Sequence, residues 1–229
     1  MRIKQLVALI LVLLFMPALS KAQYKAFALG FKTAPALGWL KTDTKDYDGG
    51  SSIGFSWGIV SEFNFSESYC VATGINFVYN NSNISYPDLR PVGGADAKEV
   101  RVERKLHIKY LQIPFTLKMR TGEIGKTRFF GQFGLATGFR LNAKGKDEYN
   151  NGTIIETQNN IGDQVAFIRE SLLVGIGIEY NISSGNLVSA GISFDNGFTD
   201  VLASKNSVDP NLKPKATTSF IELSLGILF

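Results

Sequence analysis

Eight stretches of this chain can be read as strands, most of them with a large apolar side chain at every second position, and that period limits what the chain can become. They run over residues 26–40, 51–63, 69–80, 104–119, 127–141, 166–180, 186–198 and 217–229. In the second, Ile53, Phe55, Trp57, Ile59 and Phe63 share one face, while Gly54, Ser56, Gly58, Val60 and Glu62 share the other. In the sixth, Leu172, Val174, Ile176 and Ile178 oppose Ser171, Gly175, Gly177 and Glu179. A period of two is that of a β-strand with two unlike faces.

The connections sort by parity. Those after the second, fourth and sixth strands are short, at 64–68, 120–126 and 181–185. Those after the first, third, fifth and seventh are longer, at 41–50, 81–103, 142–165 and 199–216. A soluble sandwich has no reason to sort its loops this way. An outer-membrane barrel does, with short periplasmic turns and long outer loops. The expected fold is therefore all-β, an eight-stranded antiparallel up-and-down transmembrane β-barrel. An even strand count puts both termini in the periplasm. The charge pairs Lys98–Glu99 and Arg101–Glu103–Arg104 suggest that the third and fourth strands continue above the membrane as a hairpin.

Face polarity sets the orientation. The Phe, Leu, Ile, Val and Trp face is assigned to lipid, and the Gly, Ala, Ser face with its few charges to the lumen. A soluble outer surface would carry many Lys and Glu instead. Trp39, Trp57, Tyr69, Tyr79, Tyr110 and Tyr180 are expected to form interface girdles. The fourth strand breaks phase: Leu106, Ile108 and Tyr110 are even, whereas Leu111, Ile113, Phe115, Leu117 and Met119 are odd. A bulge near Tyr110–Leu111 would reconcile them. Pro114 falls in the lumen set, where it costs a ladder bond and marks a local distortion.

The N-terminus reads as a secretory signal peptide over residues 1–22. Arg2 and Lys4 precede an apolar run, and Ser20 and Ala22 stand before a cleavage site at Gln23. The run is shorter than the ~20 residues a spanning helix needs. No cysteine follows the site to carry a lipid. The barrel domain is then 23–229. Cleavage removes three of 24 basic residues and no acid, so the mature net charge is +1, not +4. No clustered basic stretch suggests nucleic-acid binding. The single Cys70 has no disulfide partner and is expected as a small buried side chain.

At the other end, Ile221, Leu223, Leu225, Ile227 and Phe229 share one face, and Phe229 is the last residue. A strand ending on a terminal Phe resembles the C-terminal signal by which assembly machinery recognises outer-membrane barrels. The segment Tyr110-Leu-Gln-Ile-Pro-Phe-Thr-Leu-Lys118 resembles the YL-x-IP-x-x-x-K segment of the PorT-like outer-membrane β-barrel family of Bacteroidota, itself an OmpX/OmpA-like small barrel. Gly131, Gly134, Gly138 and the Gly175-x-Gly177-x-Glu179-Tyr180 stretch carry the same resemblance, which covers essentially the whole mature chain. It implies a small porin-like barrel of the cell envelope. The name-bearing member is associated with a protein export system, which implies an envelope or secretion partner.

The polar residues of the lumen set are Lys32, Glu62, Asn76, Lys118, Gln132, Arg140, Glu179, Asp195 and Glu222. With ~8 strands a barrel interior is just wide enough for side chains to fill it. These residues are expected to pair and plug the lumen as a structural network; the alternative is a narrow channel or small-solute transporter. His107 is the lone histidine, with Ser85 and Glu103 near in sequence. A Ser-His-acid site would imply a lipid-modifying enzyme, but nothing marks a nucleophile, and no enzymatic role is expected. With one His and one Cys there is no metal-ligand spacing, and no cofactor is expected. The expected protein is a monomer with a structural or interaction role at the envelope of a Gram-negative bacterium. Its expected partners are outer-membrane lipid and, during insertion, the barrel-assembly machinery.

Overall fold

The computed structural model describes residues 25–92, 96–150, 152–183, 185–204 and 206–229. Residues 1–22, expected as a signal peptide, lie outside them. Nine strands follow one another: β1 (Phe27–Thr42), β2 (Asp48–Asn64), β3 (Tyr69–Pro91), β4 (Ala97–Arg120), β5 (Thr127–Tyr149), β6 (Ile154–Gln158), β7 (Ile168–Ser183), β8 (Asn186–Gly197) and β9 (Ala216–Leu228). Eight of them close a ring in the order β1-β2-β3-β4-β5-β7-β8-β9, and β9 pairs back onto β1. Every pairing in the ring is antiparallel. The short β6 pairs with the far end of β5 and stands outside the ring.

Strands β3, β4 and β5 are 23, 24 and 23 residues long, well beyond the ~9–11 residues that span a bilayer. The expected loop 81–103 is therefore mostly ladder: Asn81↔His107 through Pro91↔Ala97 are all paired. This is the hairpin that the charge pairs suggested. The expected loop 142–165 likewise begins as β5 and turns back as β6. One end of the barrel thus carries Lys25, Phe229 and the short turns, and the other a tall sheet.

The fourth strand does not change phase. Its even residues face inward from Val102 to Arg120, and its odd residues face outward throughout. What changes is the chemistry of the two faces. From 111 to 119 the outward residues are Leu111, Ile113, Phe115, Leu117 and Met119, while Gln112, Thr116 and Lys118 point in. From 101 to 109 the outward residues are Arg101, Glu103, Lys105, His107 and Lys109, while Val102, Leu106, Ile108 and Tyr110 are buried inside. The wall is a membrane barrel below Tyr110 and a soluble-type barrel above it. Sequence alternation alone reads that inversion as a slip of phase. Tyr110 is 2% exposed and lies inside, so it is not a girdle residue.

A bulge does exist at this height, but on the neighbouring strand. Lys109 pairs with Asn142 and Tyr110 with Arg140, so Leu141 is the extra residue. Below it the even residues of β5 turn inward; above it the odd ones do, with Ala143, Gly145, Asp147 and Tyr149 inside. Pro114 also leaves its mark. The β3–β4 register skips Gly74 and Ile75 opposite Pro114 and Ile113, and the Thr73 hydroxyl donates to the Pro114 carbonyl at 2.7 Å.

Glycines let one lumen side chain lie close to the wall. A Cβ on Gly177 would stand 2.5 Å from the Phe130 ring and 2.3 Å from the Ala190 carbonyl oxygen. Phe130 is thereby housed inside the barrel, with the Lys118 ammonium 4.1 Å from its ring centroid. Cys70 is fully buried on the inward face of β3.

Candidate functional site

The lumen is the first candidate, and its contents are layered. At the short-turn end Lys118 donates to Glu62 at 2.7 Å and also pairs with Glu179. Arg120 donates to Glu179 at 2.8 Å, to Asn64 at 2.7 Å and to the second oxygen of Glu62. Two carboxylates and two cations from β2, β4 and β7 close a neutral square. Higher up, Glu222 of β9 accepts from Lys32 of β1 at 2.9 Å and from Ser56 of β2 at 2.5 Å. Above that, Arg169 of β7 donates to Asp195 of β8 at 2.6 Å and to Thr218 of β9 at 2.9 Å, and Gln112 of β4 donates to Asp195 at 2.8 Å. Each cluster sums to zero charge, as buried charges require.

The next layer is apolar. Leu40, Val78, Leu106, Ile108, Tyr110 and Phe220 meet there, capped by Ile161, Val165 and Val201 from the connections after β6 and β8. This is an ordinary hydrophobic core inside a barrel, worth ~1.5–3 kcal/mol per fully buried large side chain.

The single network expected for the lumen set thus resolves into separate clusters. Lys32 meets Glu222, and Glu62, Lys118 and Glu179 meet one another. Among the described residues Asn76, Gln132 and Arg140 join none of them. The Asn76 Oδ1 and the Arg140 Nε are buried with no hydrogen-bond partner. Arg140 instead lies under the 3-10 turn 162–164, its Nη1 2.5 Å from where a Cβ on Gly162 would be. Arg120 and Arg169 are key lumen cations that sequence reading did not include. Parity was the available signal: Arg120 continues the inward even set of β4, and Arg169 the inward odd set of β7.

The long-loop end holds the second candidate, a cavity of about 470 Å³. Its floor is apolar, with Ile84, Leu106, Ile161 and Val165. Its rim includes Tyr86, Asp88, Arg90, Arg104, Gln164 and Asn206. Asp147 organises the rim, accepting from Arg104 at 2.5 and 2.6 Å and from Arg90 at 2.7 Å. Burial works against the Arg104 charge, but the Asp147 hydrogen bonds and nearby acids outweigh it and hold the guanidinium above its usual value. Burial pushes the Tyr86 hydroxyl up to about 12. Tyr47 stacks on Tyr86 at 5.3 Å and accepts from Asn206 at 2.5 Å. The volume lies within the ~300–1,000 Å³ typical of small-molecule sites.

The histidine does not assemble a triad. His107 Nδ1 is 3.1 Å from the Asn81 Oδ1. Ser85 pairs across with Glu103, four residues along the strand from the Asn81–His107 pair, or ~13 Å at 3.3 Å per residue. The Ser85 hydroxyl accepts from Arg101 at 2.8 Å. Among the described residues no group of three His, Cys, Asp or Glu could hold a metal ion.

At the C-terminus, Ile221, Leu223, Leu225, Ile227 and Phe229 all point outward, and Glu222 points into the lumen. Phe229 is tied to β1 by a bond from its N–H to the Leu29 carbonyl at 2.8 Å.

Among solved structures, the chain is similar to Neisserial surface protein A, at 14% identity over 89% of this chain and 96% of that one, with a TM-score of 0.48. It is similar to the attachment invasion locus protein Ail of Yersinia pestis, at 14% identity over 90% and 100%, with a TM-score of 0.39. It is similar to the outer membrane protein OprG of Pseudomonas aeruginosa, at 10% identity over 90% and 97%, with a TM-score of 0.45. No curated protein sequence matches the chain. A family model described as "Outer membrane protein beta-barrel domain" matches residues 20–226. With that match across nearly its whole length, and with a closed ring whose lower wall is apolar outside and ion-paired inside, the chain belongs to the outer membrane protein beta-barrel domain family and is a protein of the outer membrane.

Proposed function

We propose that this barrel is a non-conducting structural and interaction protein of the outer membrane, working through its long-loop end. The observation that carries the reading is the filled lumen. Three neutral ion-paired clusters occupy the lower barrel, and the apolar layer of Leu106, Ile108, Tyr110 and Phe220 closes it above. The cavity left between the lower clusters is about 70 Å³, room for a water or two and no path for solute. In this reading the termini and short turns are periplasmic. The tall sheet and its 470 Å³ cavity face outward as the surface for a ligand or partner. The protein is a monomer with no enzymatic role. The segment from Tyr110 to Lys118 supports placing it among PorT-like barrels, and with it an envelope or export partner.

Planar-bilayer recording from purified, folded protein tests the closed lumen. No stable conductance is expected, and reproducible single-channel steps would replace this reading with that of a narrow transporter. An Asn211→Cys variant tests the orientation in whole cells. Residue 211 is exposed on the long connection before β9, and native Cys70 is buried. Labelling by a membrane-impermeant maleimide is expected; labelling only after the outer membrane is opened would invert the orientation.

A further inference from the structure

The bulge at Leu141 also decides what the outer wall displays above the lipid. Were the strand to run through Leu141 with no bulge, Lys144 and Lys146 would continue the inward even set of β5 and point into the barrel. With it they face outward, beside the outward residues of β4. His107 is directly opposite Lys144, and Lys105 is directly opposite Lys146. Lys109 is one row lower, immediately above Leu111, the first residue of the apolar belt. Its ammonium lies 5.1 Å from the ring centroids of both Phe77 and Tyr79.

This patch is only partly neutralised from within. Glu148 pairs with Lys105 at 2.9 Å and with Lys146 at 3.1 Å. Among the described residues, Lys109 and Lys144 have no carboxylate within 4.0 Å. Glu148 thus bridges the directly opposed pair Lys105 and Lys146, whose like charges would otherwise cost stability, and Lys109 and Lys144 are the cations that an outside anion would neutralise. The patch is also bounded. In the same rows β3 presents Tyr79, Asn81 and Asn83, all neutral, and the next row up is acidic, with Glu103 opposite Glu148.

A second feature lies beneath it. On the same two strands an apolar groove of about 440 Å³ runs down the lipid-facing wall, lined by Ile113, Phe115, Leu117, Phe133 and Leu135. Its β7 edge is Glu170, which accepts from the Thr137 hydroxyl at 2.9 Å. A cationic patch at the rim of the belt, with an apolar groove beyond the Leu111–Phe139 pair on the same two strands, matches one kind of molecule: an acylated lipid with an anionic headgroup. We propose that Lys105, Lys109, Lys144 and Lys146 bind the phosphate groups of an outer-leaflet glycolipid whose acyl chains lie in the groove. The proposal rests on the long-loop end facing outward, since that places the patch at the outer-leaflet headgroups.

The test uses the full chain folded in nanodiscs of uncharged phospholipid carrying either bisphosphorylated lipid A or its enzymatically dephosphorylated form. After transfer to detergent, native mass spectrometry counts the glycolipid still bound. The wild type is expected to retain the phosphorylated form and lose the other. Each lysine near a lipid surface contributes enough that a Lys109→Gln/Lys144→Gln double variant should retain about tenfold less or lower still. A Lys213→Gln/Lys215→Gln control should match the wild type, and heat-modifiable gel mobility shows that each variant is folded. Equal retention of the two lipid forms, or undiminished retention by the folded double variant, overturns the proposal. So does patch-dependent binding of a soluble sulfated polysaccharide without discrimination between the two lipids, which would assign the patch to a soluble polyanion. Retention is read in detergent, so its failure is distinct from a failure of the orientation, which the Asn211→Cys labelling reports.

Discussion

Lys32 and Glu222 meet at 2.9 Å across the seam where the first and last strands of the ring close on each other. The two residues are 190 apart in sequence. Ser56 and Ser193 add hydrogen bonds to the same carboxylate at 2.5 and 3.4 Å, so the pair joins β1, β2, β8 and β9. The ladder is also interrupted at the seam. The β1–β9 register skips Ala34 and Pro35, and a proline has no N–H to give.

Removing one partner of a buried pair leaves an uncompensated charge. Lys32→Met is therefore expected to cost about 3 kcal/mol, the lower end of the range for such breaks, because Lys32 keeps some solvent contact. The double variant Lys32→Met/Glu222→Leu should lose less than the single one, since no charge is left stranded. Urea unfolding in lipid vesicles, followed by gel mobility, measures both. A double variant less stable than the single would mean that the stranded Glu222 charge is not what the single variant costs.

Strand faces in the lower barrel were legible because one chemistry runs along each. Ile53 to Phe63 on β2 and Ile221 to Phe229 on β9 never exchange roles with their neighbours. β4 misleads because two solvents act on it. Its outward face is apolar at Leu111 and charged at Lys109, and the inward face reverses with it, so counting apolar residues produces a false slip at Tyr110. The lumen pairings were not legible at all. Nothing in sequence aligns Arg169 with Asp195, or Arg120 with Glu62 and Glu179; strand order and register do that. Arg120 was hidden further because it stands where the strand was expected to turn.

The C-terminal strand gives a depth-dependent test. Leu225 is 59% exposed on the lipid-facing wall, and Ser224 points inward towards Gly191, whose carbonyl it reaches at 3.3 Å. Leu225→Arg should cost about 2–4 kcal/mol near mid-membrane. Ser224→Arg should be governed by crowding against Phe130, and thinner or thicker bilayers should change its cost little. Unfolding free energies in vesicles of two acyl lengths separate the two effects.

Deletion of Phe229 should impair assembly in cells more than it lowers stability in vitro. In the folded barrel the residue contributes an exposed ring and two backbone bonds to Leu29. A larger effect in cells would come from recognition of that end by the assembly machinery. Comparing folded yield in cells with refolding yield in vesicles decides it; equal effects would leave the residue a purely local role.

The outer sheet should be alkali-sensitive. The Tyr86 hydroxyl ordinarily ionises near 10.0, and burial raises it to about 12 in the fold. A raised value means that the fold prefers the neutral phenol. That stabilisation is complete below pH 10 and is lost as pH climbs through about 12. Protease resistance of the β3–β4 hairpin should fall over that window in the wild type, and Tyr86→Phe should flatten the fall. Tyrosinate absorbance should show one late-titrating group fewer in the variant.

The extra residue at Leu141 is a spare link in β5. Exchanging it for another residue leaves the strand beyond it in step, and so does removing it. Arg140 and Asn142 already stand opposite Tyr110 and Lys109, so without Leu141 they would be neighbours on a regular ladder, with Ala143, Gly145 and Asp147 still inside and Lys144 and Lys146 still outside. At this one position the strand tolerates a change of count as well as a change of letter, so a single-residue gap should be accepted there and rejected elsewhere along the strand.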